Sequence, residues 1–481
     1  MILFRRPASG LQVFWVRRGS GLSFAGGFHA FPGGKLDPDD GRVPVEGFGG
    51  EAAALRATAA RELLEEAGVL LVQGRVSSER IRSLRTELLE GKVPFSELLA
   101  RHSLSVDGGA LRDAGRYVTP AWLPVRFDCR FFLVEVSAQT EVEIITGELV
   151  EGTWVSPAAA LEQWEQGSAL LHPPNLFALQ VMARFSTTDQ ALAELQSPPE
   201  LENLIPTRVE FQKGIQLLPL QSPTLPPATH TNCYLLGNGD FLIVDPGATE
   251  PAEAERLFRR IAVLEREGRR PVAVVLTHHH GDHIGGALGL KTRLNLPVWC
   301  HARTADRLPF PAQRILREGE QLVLEGKPTM TFRVLHTPGH ARGHLCLLDE
   351  SSRAAVVGDM VAGLGTILID PPEGDMGEYL RQLKRLQQLP VGALYPAHGP
   401  PLPDGPAKLS EYLEHRRARE ARVSTALAEG PAELETLSAR AYADTPTAWP
   451  VIAERSTHAI LLKLCEDGLA TCVGGVYSQT A

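Results

Sequence analysis

One short segment constrains this chain more than any other, because it concentrates metal-binding side chains beyond what packing requires. Residues 277–286 read THHHGDHIGG and contain the pattern HxHxDH, which comprises His278, His280, Asp282 and His283. The segment begins where an apolar run, Val272–Leu276, ends, and a loop after a strand can direct alternate side chains to one side. Imidazole and carboxylate ligands without a thiolate are typical of Zn²⁺, with Mn²⁺ and Fe²⁺ as rivals.

Three further candidate ligands follow later apolar runs of the chain. His340 lies in the segment HTPGH, Asp359 in VGDM and His398 in YPAHGP, and each segment comes after a run that reads as a strand. Because α/β folds place their sites at strand ends, we expect these side chains to complete one metal site. A lone histidine would carry little weight, whereas four ligand-type side chains within six residues are hard to explain as packing.

The other histidines near these motifs are interpreted differently. His279 occupies an x position of the pattern and is expected to point away from the site. His336 and His344 are expected to support the ligands or to lie in loops rather than to bind metal themselves.

Residues 205–405, which contain this constellation, resemble the metallo-β-lactamase superfamily of hydrolases. The resemblance implies an αββα sandwich with two metal ions. It implies that the first ion is held by His278, His280 and His340. The second ion would be held by Asp282, His283 and His398, and Asp359 would bridge the two ions. Two ions would lower the pKa of a water molecule and stabilise charge on a carbonyl or phosphoryl oxygen. Asp282 is also predicted to be catalytic, and Asp245 matches a position that braces the site.

Two groups within the superfamily compete as the better match. Only 38 residues separate Asp359 from His398, which leaves no room for the inserted domain of the β-CASP nucleases. The segments 358–370 and 395–400 resemble the endoribonuclease-like group around β-lactamase-like protein 2. The resemblance therefore favours cleavage of phosphodiester bonds in single-stranded RNA, with thioester hydrolysis of the glyoxalase II or acyl-CoA type as the alternative.

The last segment, 406–481, is predicted to be helical and resembles the small winged-helix domain of the same group. Helices are predicted around 411–420, 432–442 and 458–466, with a wing-like hairpin from Gly468 to Val473. Such a domain could present a helix to nucleic acid. The alternative is a solvated helix face, on which three arginines balance three glutamates: Arg416, Arg417 and Arg419 against Glu411, Glu414 and Glu420.

Near the start of the chain, an Ala-rich helix is predicted over 51–67, with Gly68 as its C-cap. Glu62, Glu65 and Glu66 are spaced so that all three carboxylates lie on one helix face. Like charges so close repel each other, and a hard cation such as Mg²⁺ or Mn²⁺ would relieve that repulsion. An ordinary acidic helix face is the alternative.

The residues from Arg61 to Val69 resemble the second half of the Nudix box, REUxEExGU, where U is apolar. The first half departs from it, because the residues from Lys35 to Gly50 separate the Gly-Gly pair from the helix, and Ala53 stands where a glutamate is usual. The long insert, the segment 120–128 and the Trp154 region resemble the coenzyme A-related, nudix 19-type subgroup. This resemblance implies a Mg²⁺- or Mn²⁺-dependent diphosphatase acting on a nucleoside diphosphate-linked substrate. Glu148 or Glu151 could supply the missing base.

Composition sets broader bounds on the molecule. The formal net charge of −9 gives no general attraction to nucleic acid, and six scattered cysteines without a CxxC pair favour a reducing, cytoplasmic compartment. No apolar stretch of about 18 residues suggests a membrane span, and no signal peptide is recognised. Proline-rich passages at 197–206, 219–227 and 400–406 are interpreted as linkers.

These features predict an α/β and α+β multidomain protein with three segments: a Nudix α/β/α fold at 1–195, a metallo-β-lactamase αββα sandwich at 205–405 and a winged helix at 406–481. The predicted function is that of a cytoplasmic, metal-dependent hydrolase, with a second, Nudix activity. Its expected partner is single-stranded RNA or a small thioester or nucleotide, without a membrane. In the non-enzymatic alternative, the Nudix and winged-helix parts are binding modules that deliver substrate to one centre.

Overall fold

The computed structural model describes residues 1–22, 25–91, 93–121, 126–145, 147–199, 201–445 and 449–480. The chain divides into two compact units, Met1–Lys213 and Gly214–Ala481. The predicted division into three segments stays a prediction, and the residues after 406 belong to the second unit. Within the described residues, no helix combines the length and the apolar character needed to cross a membrane.

The first unit contains a six-stranded mixed sheet, the helices that cover it and three further short strands. Its strands are β1 (Ile2–Arg5), β2 (Gln12–Arg18), β3 (His29–Ala30), β4 (Arg112–Val118), β5 (Asp128–Glu135), β6 (Leu149–Val155), β7 (Leu201–Glu202), β8 (Ile205–Pro206) and β9 (Val209–Gln212). Its helices are α1 (Gly50–Ala67), α2 (Ser78–Leu89), α3 (Phe95–Arg101), α4 (Pro157–Glu165), α5 (Pro173–Arg184) and α6 (Thr188–Gln196), with a short 3-10 helix at Asp40–Arg42. The main sheet runs β3-β2-β1-β5-β4, and β6 pairs with β2.

Alternation along β1 and β2 builds a core on each face of this sheet, because successive strand residues point to opposite sides. Leu3 and Phe14 pack with the Ala-rich face of α1, whereas Ile2 and Val13 pack with α4, α5 and α6. This helix–sheet–helix layering is the Nudix fold. Helix α1 ends as predicted, with Gly68 at a φ of 68°, a left-handed conformation that glycine adopts without strain.

The second unit contains two large sheets and a helical tail. Its strands are β10 (Ile215–Gln221), β11 (His230–Leu236), β12 (Asp240–Val244), β13 (Arg270–Val275), β14 (Val298–Cys300), β15 (Arg314–Ile315), β16 (Gln321–Leu324), β17 (Met330–His336), β18 (Leu345–Asp349), β19 (Ala355–Gly358), β20 (Leu394–Pro396), β21 (Ala432–Glu433), β22 (Ala470–Val473) and β23 (Val476–Gln479). Its helices are α7 (Pro251–Arg266), α8 (Gly281–Ile284), α9 (Ala287–Leu294), α10 (Ala302–Ala305), α11 (Met376–Gln388), α12 (Gly405–Ala428), α13 (Leu434–Ala441) and α14 (Pro450–Glu466).

Two sheets stand between layers of helices, as the αββα sandwich requires. One sheet carries β15-β14-β13-β12-β11-β10 in that spatial order, and its apolar face packs with α7 and α9. The other runs β16-β17-β18-β19-β20 and packs with α11 and α12. The sheets meet at Tyr234 and Tyr395, whose ring centroids are 5.9 Å apart. The strands predicted before each ligand segment are present, so their carboxyl ends gather at one edge.

The proline-rich passages are not all linkers, and this prediction was wrong at two of them. Pro219 lies inside β10, opposite Asn232 of β11. The N–H of Asn232 donates to the carbonyl of Ala397 (2.7 Å), so Pro219 and Asn232 are not a hydrogen-bonded pair and the missing N–H of Pro219 costs no bond to β11. Pro406 occupies the first turn of α12, where a missing N–H costs no helical hydrogen bond.

The tail packs on the second sheet and shares its core, since Tyr412 and Val423 are buried together with Tyr379 and Leu383. A three-stranded sheet, β21-β23-β22, lies beside α13 and α14. Helix α14 begins at Pro450, eight residues before the predicted start, because a proline is well suited to the first helical turn. The predicted wing covers only the first strand of the hairpin, which turns at Gly474 and Gly475 with positive φ.

Candidate metal centre

The predicted ligands of the second unit converge at the carboxyl ends of its strands. His278 and His280 follow β13, and His283 lies in the single-turn helix α8. His340 follows β17, Asp359 follows β19 and His398 follows β20. Six of the seven ligands form two groups in which the ligand atoms lie within 4.8 Å of one another: His278, His280 and His340, and Asp282, His283 and His398. These are the two groups that the resemblance assigns to two ions.

Asp359 lies between the groups with one carboxylate oxygen toward each. Its Oδ1 is 3.6 Å from His283 Nε2 and 3.4 Å from His398 Nε2, and its Oδ2 is 3.4 Å from His340 Nε2. Within the described part of the chain, Asp359 Oδ1 and His283 Nε2 are buried without a hydrogen-bond partner. Buried polar atoms are normally paired, so two unpaired ligand-type atoms facing each other fit a bound cation. The donor set of imidazole and carboxylate fits Zn²⁺, Mn²⁺ or Fe²⁺.

The atoms that face away from the centre are held by an outer layer of hydrogen bonds. Thr277 Oγ1 donates to Asp245 (2.6 Å) and pairs with His278 Nδ1 (3.0 Å). The same carboxylate oxygen of Asp245 accepts from His283 Nδ1 (2.9 Å), so one buried aspartate braces a ligand of each group. Asp245, His278 and His283 also lie close enough to hold an ion, but these hydrogen bonds already occupy the carboxylate.

Backbone carbonyls fix two further ligands. His340 Nδ1 lies 2.9 Å from the carbonyl of Leu368, and His398 Nδ1 lies 3.0 Å from that of His230. A carbonyl can only accept, so each Nδ1 donates, and in the neutral ring it is Nε2 that carries the lone pair on the side of the centre. Such outer partners orient metal-binding histidines and set their tautomers.

His344 supports Asp359 and does not face the two groups of ligands. Its Nε2 accepts the backbone N–H of Asp359 (3.0 Å), and its Nδ1 pairs with Thr337 Oγ1 (2.8 Å). His336 lies elsewhere, stacked on His301 with ring centroids 4.0 Å apart. His279 is half-buried beside His280 and belongs to neither group of ligands.

The electrostatics prepare the two groups differently. Burial lowers the pKa of His278 and His340, and it lowers that of His280 to about 3, so these rings are neutral at physiological pH. Burial opposes charge on His283 as well, but Asp359 and its other acidic neighbours outweigh it and raise the pKa of His283 well above its usual range. A cation bound there would replace that proton as the partner of Asp359.

In the first unit, α1 presents the three predicted carboxylates around a central arginine. Arg61 Nη1 donates to Glu62 Oε1 and to Glu65 Oε2, both at 2.9 Å. Glu66 Oε2 accepts the N–H of Gly33 (2.7 Å), and burial raises the pKa of Glu66 to about 7. Burial also raises the pKa of Glu62 and Glu65, so the cluster favours uptake of either protons or a cation.

Asp40 is the residue of this site that sequence reasoning missed. It lies in the long insert, is fully buried, and accepts from Arg61 Nε at Oδ1 (2.9 Å) and from Arg61 Nη2 at Oδ2 (3.1 Å). Thr58 Oγ1 donates to the same carboxylate (2.8 Å). Asp40 thus holds the arginine that spans Glu62 and Glu65, although Ala53 stands where the pattern expects a glutamate.

Glu148 and Glu151, the two candidates for the missing base, have different surroundings. Glu151 pairs with Arg17 (3.3 Å). Burial raises the pKa of Glu62, Asp40 adds to this effect, and Glu148 lies near enough to add a smaller contribution. Trp154 packs against Phe14 at a centroid distance of 5.4 Å. Of the segment 120–128, residues 122–125 lie outside the described residues.

Comparisons with known proteins match both units. The profile of the metallo-beta-lactamase superfamily matches residues 226–398, and that of the NUDT19 Nudix domain matches residues 48–182. A beta-lactamase-like protein 2 homolog from Caenorhabditis elegans is 30% identical over 246 residues, which are 50% of this chain and 80% of that protein. An atrochrysone carboxyl ACP thioesterase from Aspergillus chevalieri is 34% identical over 202 residues, 41% of this chain and 61% of that protein. A beta-lactamase domain protein from Burkholderia ambifaria shares the fold, with 22% identity, a TM-score of 0.50, and coverage of 57% of this chain and 93% of that chain.

Proposed function

Because the chain belongs to the metallo-β-lactamase superfamily and carries a NUDT19-type Nudix domain, we propose that its second unit hydrolyses acyl thioesters with two divalent cations, Zn²⁺ in the first instance. A relative that is 34% identical is named as a thioesterase acting on an acyl carrier protein, which supports this substrate class. A coenzyme A-related Nudix domain in the same chain would act on the carrier of the same kind of acyl group. The chain is a hydrolase in either case.

Two of the three tail arginines point into the protein, and this observation favours a thioester over RNA as the substrate. Arg416 is 5% exposed and donates to the carbonyl of Ile367. Arg419 donates to the carbonyl of Ala441 (2.7 Å) and pairs with Asp444 (3.2 Å). Of the three arginines in the predicted nucleic-acid helix, only Arg417 is exposed, which leaves little of the cationic surface that binds phosphates.

The chemistry follows from the arrangement of the ligands. Two cations would stabilise the charge that develops on the thioester carbonyl oxygen and would lower the pKa of the water that attacks it. The neutral rings of His278, His280 and His340 offer lone pairs without first releasing protons. Asp282 is partly exposed, and its Oδ2 is 3.5 Å from His398 Nε2, so this carboxylate is placed to accept the proton of the water.

Cleavage of single-stranded RNA is the second candidate function. The order of elements in the tail, α12, β21, α13, α14 and the β22–β23 hairpin, supports its interpretation as a winged helix. The match to a beta-lactamase-like protein 2 homolog over 80% of its length supports the same group. A phosphodiester would use the same two cations, with charge developing on a phosphoryl oxygen.

A direct comparison of substrates tests the proposal. We expect the full chain with added Zn²⁺ or Mn²⁺ to release free thiol from acyl-coenzyme A and acyl-pantetheine substrates, and to leave a labelled single-stranded RNA uncut. Thiol release is followed with a chromogenic disulfide and RNA by gel. If RNA is cut while no thioester in the panel is hydrolysed, the second candidate replaces the first.

For the first unit, we propose a Mg²⁺- or Mn²⁺-dependent diphosphatase that acts on a coenzyme A-type, nucleoside diphosphate-linked substrate. Glu62, Glu65 and Glu66 would hold the cation, whose chemistry is to neutralise charge on the diphosphate. Arg61 is already fixed by Asp40, so the orientation of two of the three carboxylates does not depend on a glutamate at position 53. The non-catalytic alternative is a binding module.

The free state of all six cysteines supports a cytoplasmic location.

An Asp40→Asn variant tests the completeness of this site. The amide keeps the size of Asp40 but removes its charge, which leaves the half-buried Arg61 without its bidentate partner and frees it to move off Glu62 and Glu65. We expect diphosphatase kcat/KM to fall by about 10- to 100-fold, together with weaker Mn²⁺ binding in the first unit. Asp37→Asn, in the same loop, is the matched control, because among the described residues the side chain of Asp37 accepts only the N–H of Asp39. Equal activity of both variants would show that Asp40 does not position the site.

A further inference from the structure

The loop that follows Asp359 contacts three of the seven predicted metal ligands. Asp359 immediately precedes the loop, and the N–H of Gly363 donates to the carbonyl of His398 (2.7 Å). At its far end, the carbonyl of Leu368 accepts from His340 Nδ1 (2.9 Å). A shift of this loop, residues 360–368, would therefore move ligands of both cation groups at once.

Helix α12 of the tail holds this loop through two buried side chains. Tyr412 accepts the N–H of Ala362 (2.7 Å) at its phenolic oxygen and donates to the carbonyl of Gly365 (3.0 Å), so it clamps the residues on either side of Gly363. Arg416, one helical turn further on, donates through Nη2 to the carbonyl of Ile367. That residue immediately precedes Leu368, whose carbonyl holds His340.

Burial of the Arg416 guanidinium is energetically unfavourable, so the filling of space alone does not explain an arginine at this position. It is 5% exposed, forms no ion pair with any described residue, and its Nε has no hydrogen-bond partner among them. Its guanidinium lies 5.3 Å from the ring centroid of Tyr379. Burying a charge without an acidic partner is unfavourable, and an apolar side chain of similar length would fill the same space at lower cost. What an apolar side chain could not supply is the hydrogen bond to Ile367.

We infer that Tyr412 and Arg416 are positioning residues of the metal centre, acting on His340 and His398 through the loop 360–368. The tail is then a working part of the second unit's hydrolytic site and not a separable module. This inference rests on the proposed two-cation centre. It also gives a physical reason for the inward direction of Arg416: its donor fixes the peptide next to the carbonyl that sets the tautomer of His340.

The test is cation affinity, measured site by site on the full chain. Arg416→Met keeps an apolar stem and removes the donors, Tyr412→Phe removes one hydroxyl, and Arg417→Met is the control because Arg417 is the exposed neighbour. We expect Arg416→Met to weaken binding of one Zn²⁺ equivalent by about tenfold or more in a chelator competition, and to alter the absorption spectrum of the Co²⁺-loaded protein. The Tyr412 hydroxyl clamps both sides of Gly363, so Tyr412→Phe is expected to weaken binding of both Zn²⁺ equivalents. The control binds like wild type.

Circular dichroism and the thermal midpoint of the metal-free proteins separate positioning from folding. Weaker binding by variants whose metal-free fold and midpoint match wild type supports the inference. Wild-type affinity and spectrum in both variants would overturn it, as would a loss of affinity that only follows a loss of folded protein. If Arg416→Met does not fold, Tyr412→Phe decides by the same criteria. A wild-type chain that binds no Zn²⁺ would refute the two-cation centre itself, which distinguishes the two failures.

Discussion

An Asp359→Ala variant is expected to lose hydrolysis by the second unit, with kcat/KM reduced by at least about 10³-fold. Asp359 is the only one of the predicted ligands whose two oxygens face different groups, at 3.4 Å from His340 Nε2 and 3.4 Å from His398 Nε2. Without it, a cation in either group loses one ligand and the two groups lose their connection. The measurement is thiol release from acyl-coenzyme A, together with bound metal per chain.

The same variant reports on protonation. Burial acts against charge on His398, and Asp359 is the chief neighbour that outweighs it and raises the pKa of His398. Removal of the carboxylate therefore lowers the pKa of His283 and His398. The variant does not gain positive charge on these two rings, so a loss of metal would not be due to protonated histidines. Asp359→Asn, which keeps the shape of the side chain, is expected to behave like Asp359→Ala, because an amide is a poor ligand for Zn²⁺.

Asp467→Asn is the control for this experiment, because Asp467 is an exposed aspartate of the tail that pairs only with Lys463 among the contacts described. It should retain wild-type activity and metal content. Residual activity of Asp359→Ala within tenfold of the control would contradict the assignment of Asp359 as the bridge. It would do so whether the substrate is a thioester or RNA, since both reactions depend on the same two cations.

Sequence reasoning succeeded where the relevant residues are close along the chain. Four candidate ligands occupy six residues after β13, and the other three end strands that an apolar run identifies, so convergence follows from how strands end in a layered fold. The C-cap at Gly68 and the spacing of Glu62, Glu65 and Glu66 are local in the same sense. Whether these residues bind metal stays a prediction.

Sequence reasoning failed where two contacting residues are far apart along the chain, and where the side of the helix on which each residue lies was not taken into account. Asp40 lies 21 positions before Arg61, in an insert that has no periodic pattern, so nothing in the sequence marks the contact. Arg416 could have been found: it lies four residues after Tyr412, and residues at i and i+4 share one helix face. Treating Arg416, Arg417 and Arg419 as a set hid this, because the helical period sends neighbours to different sides.

The position of His344 shows a third limit. The sequence predicted that it would support the ligands or lie in a loop, but only the fold shows that Nε2 accepts the N–H of Asp359 and Nδ1 pairs with Thr337. This contact joins the residue before β18 to the residue after β19, and the pairing of those strands brings it about. Roles that depend on strand pairing follow from topology, whereas ligand identity follows from residue type.

In the first unit, Glu65→Gln and Glu66→Gln are each expected to lower diphosphatase kcat/KM by about 10²- to 10³-fold. Both changes keep the size of the side chain and remove one anionic ligand from a face that also holds Glu62. Glu79→Gln, an exposed change at the start of α2, is the control and should have no effect. Hydrolysis of a coenzyme A-type diphosphate, followed by release of the nucleotide product, is the measurement. Unchanged activity in both variants would remove these residues from the reaction.

Glu66 adds a dependence on pH whose sign can be worked out. Burial raises the pKa of Glu66 to about 7 in the metal-free protein, so its carboxyl is largely protonated below that pH. A cation binds the deprotonated form, and protons therefore compete with Mg²⁺ as the pH falls. We expect the Mg²⁺ affinity of the first unit to decline by up to about tenfold per pH unit below 7 and to level off above it. Glu66→Gln, which has no proton to lose, should flatten that profile; a profile that stays as steep in the variant would assign the titration to another group.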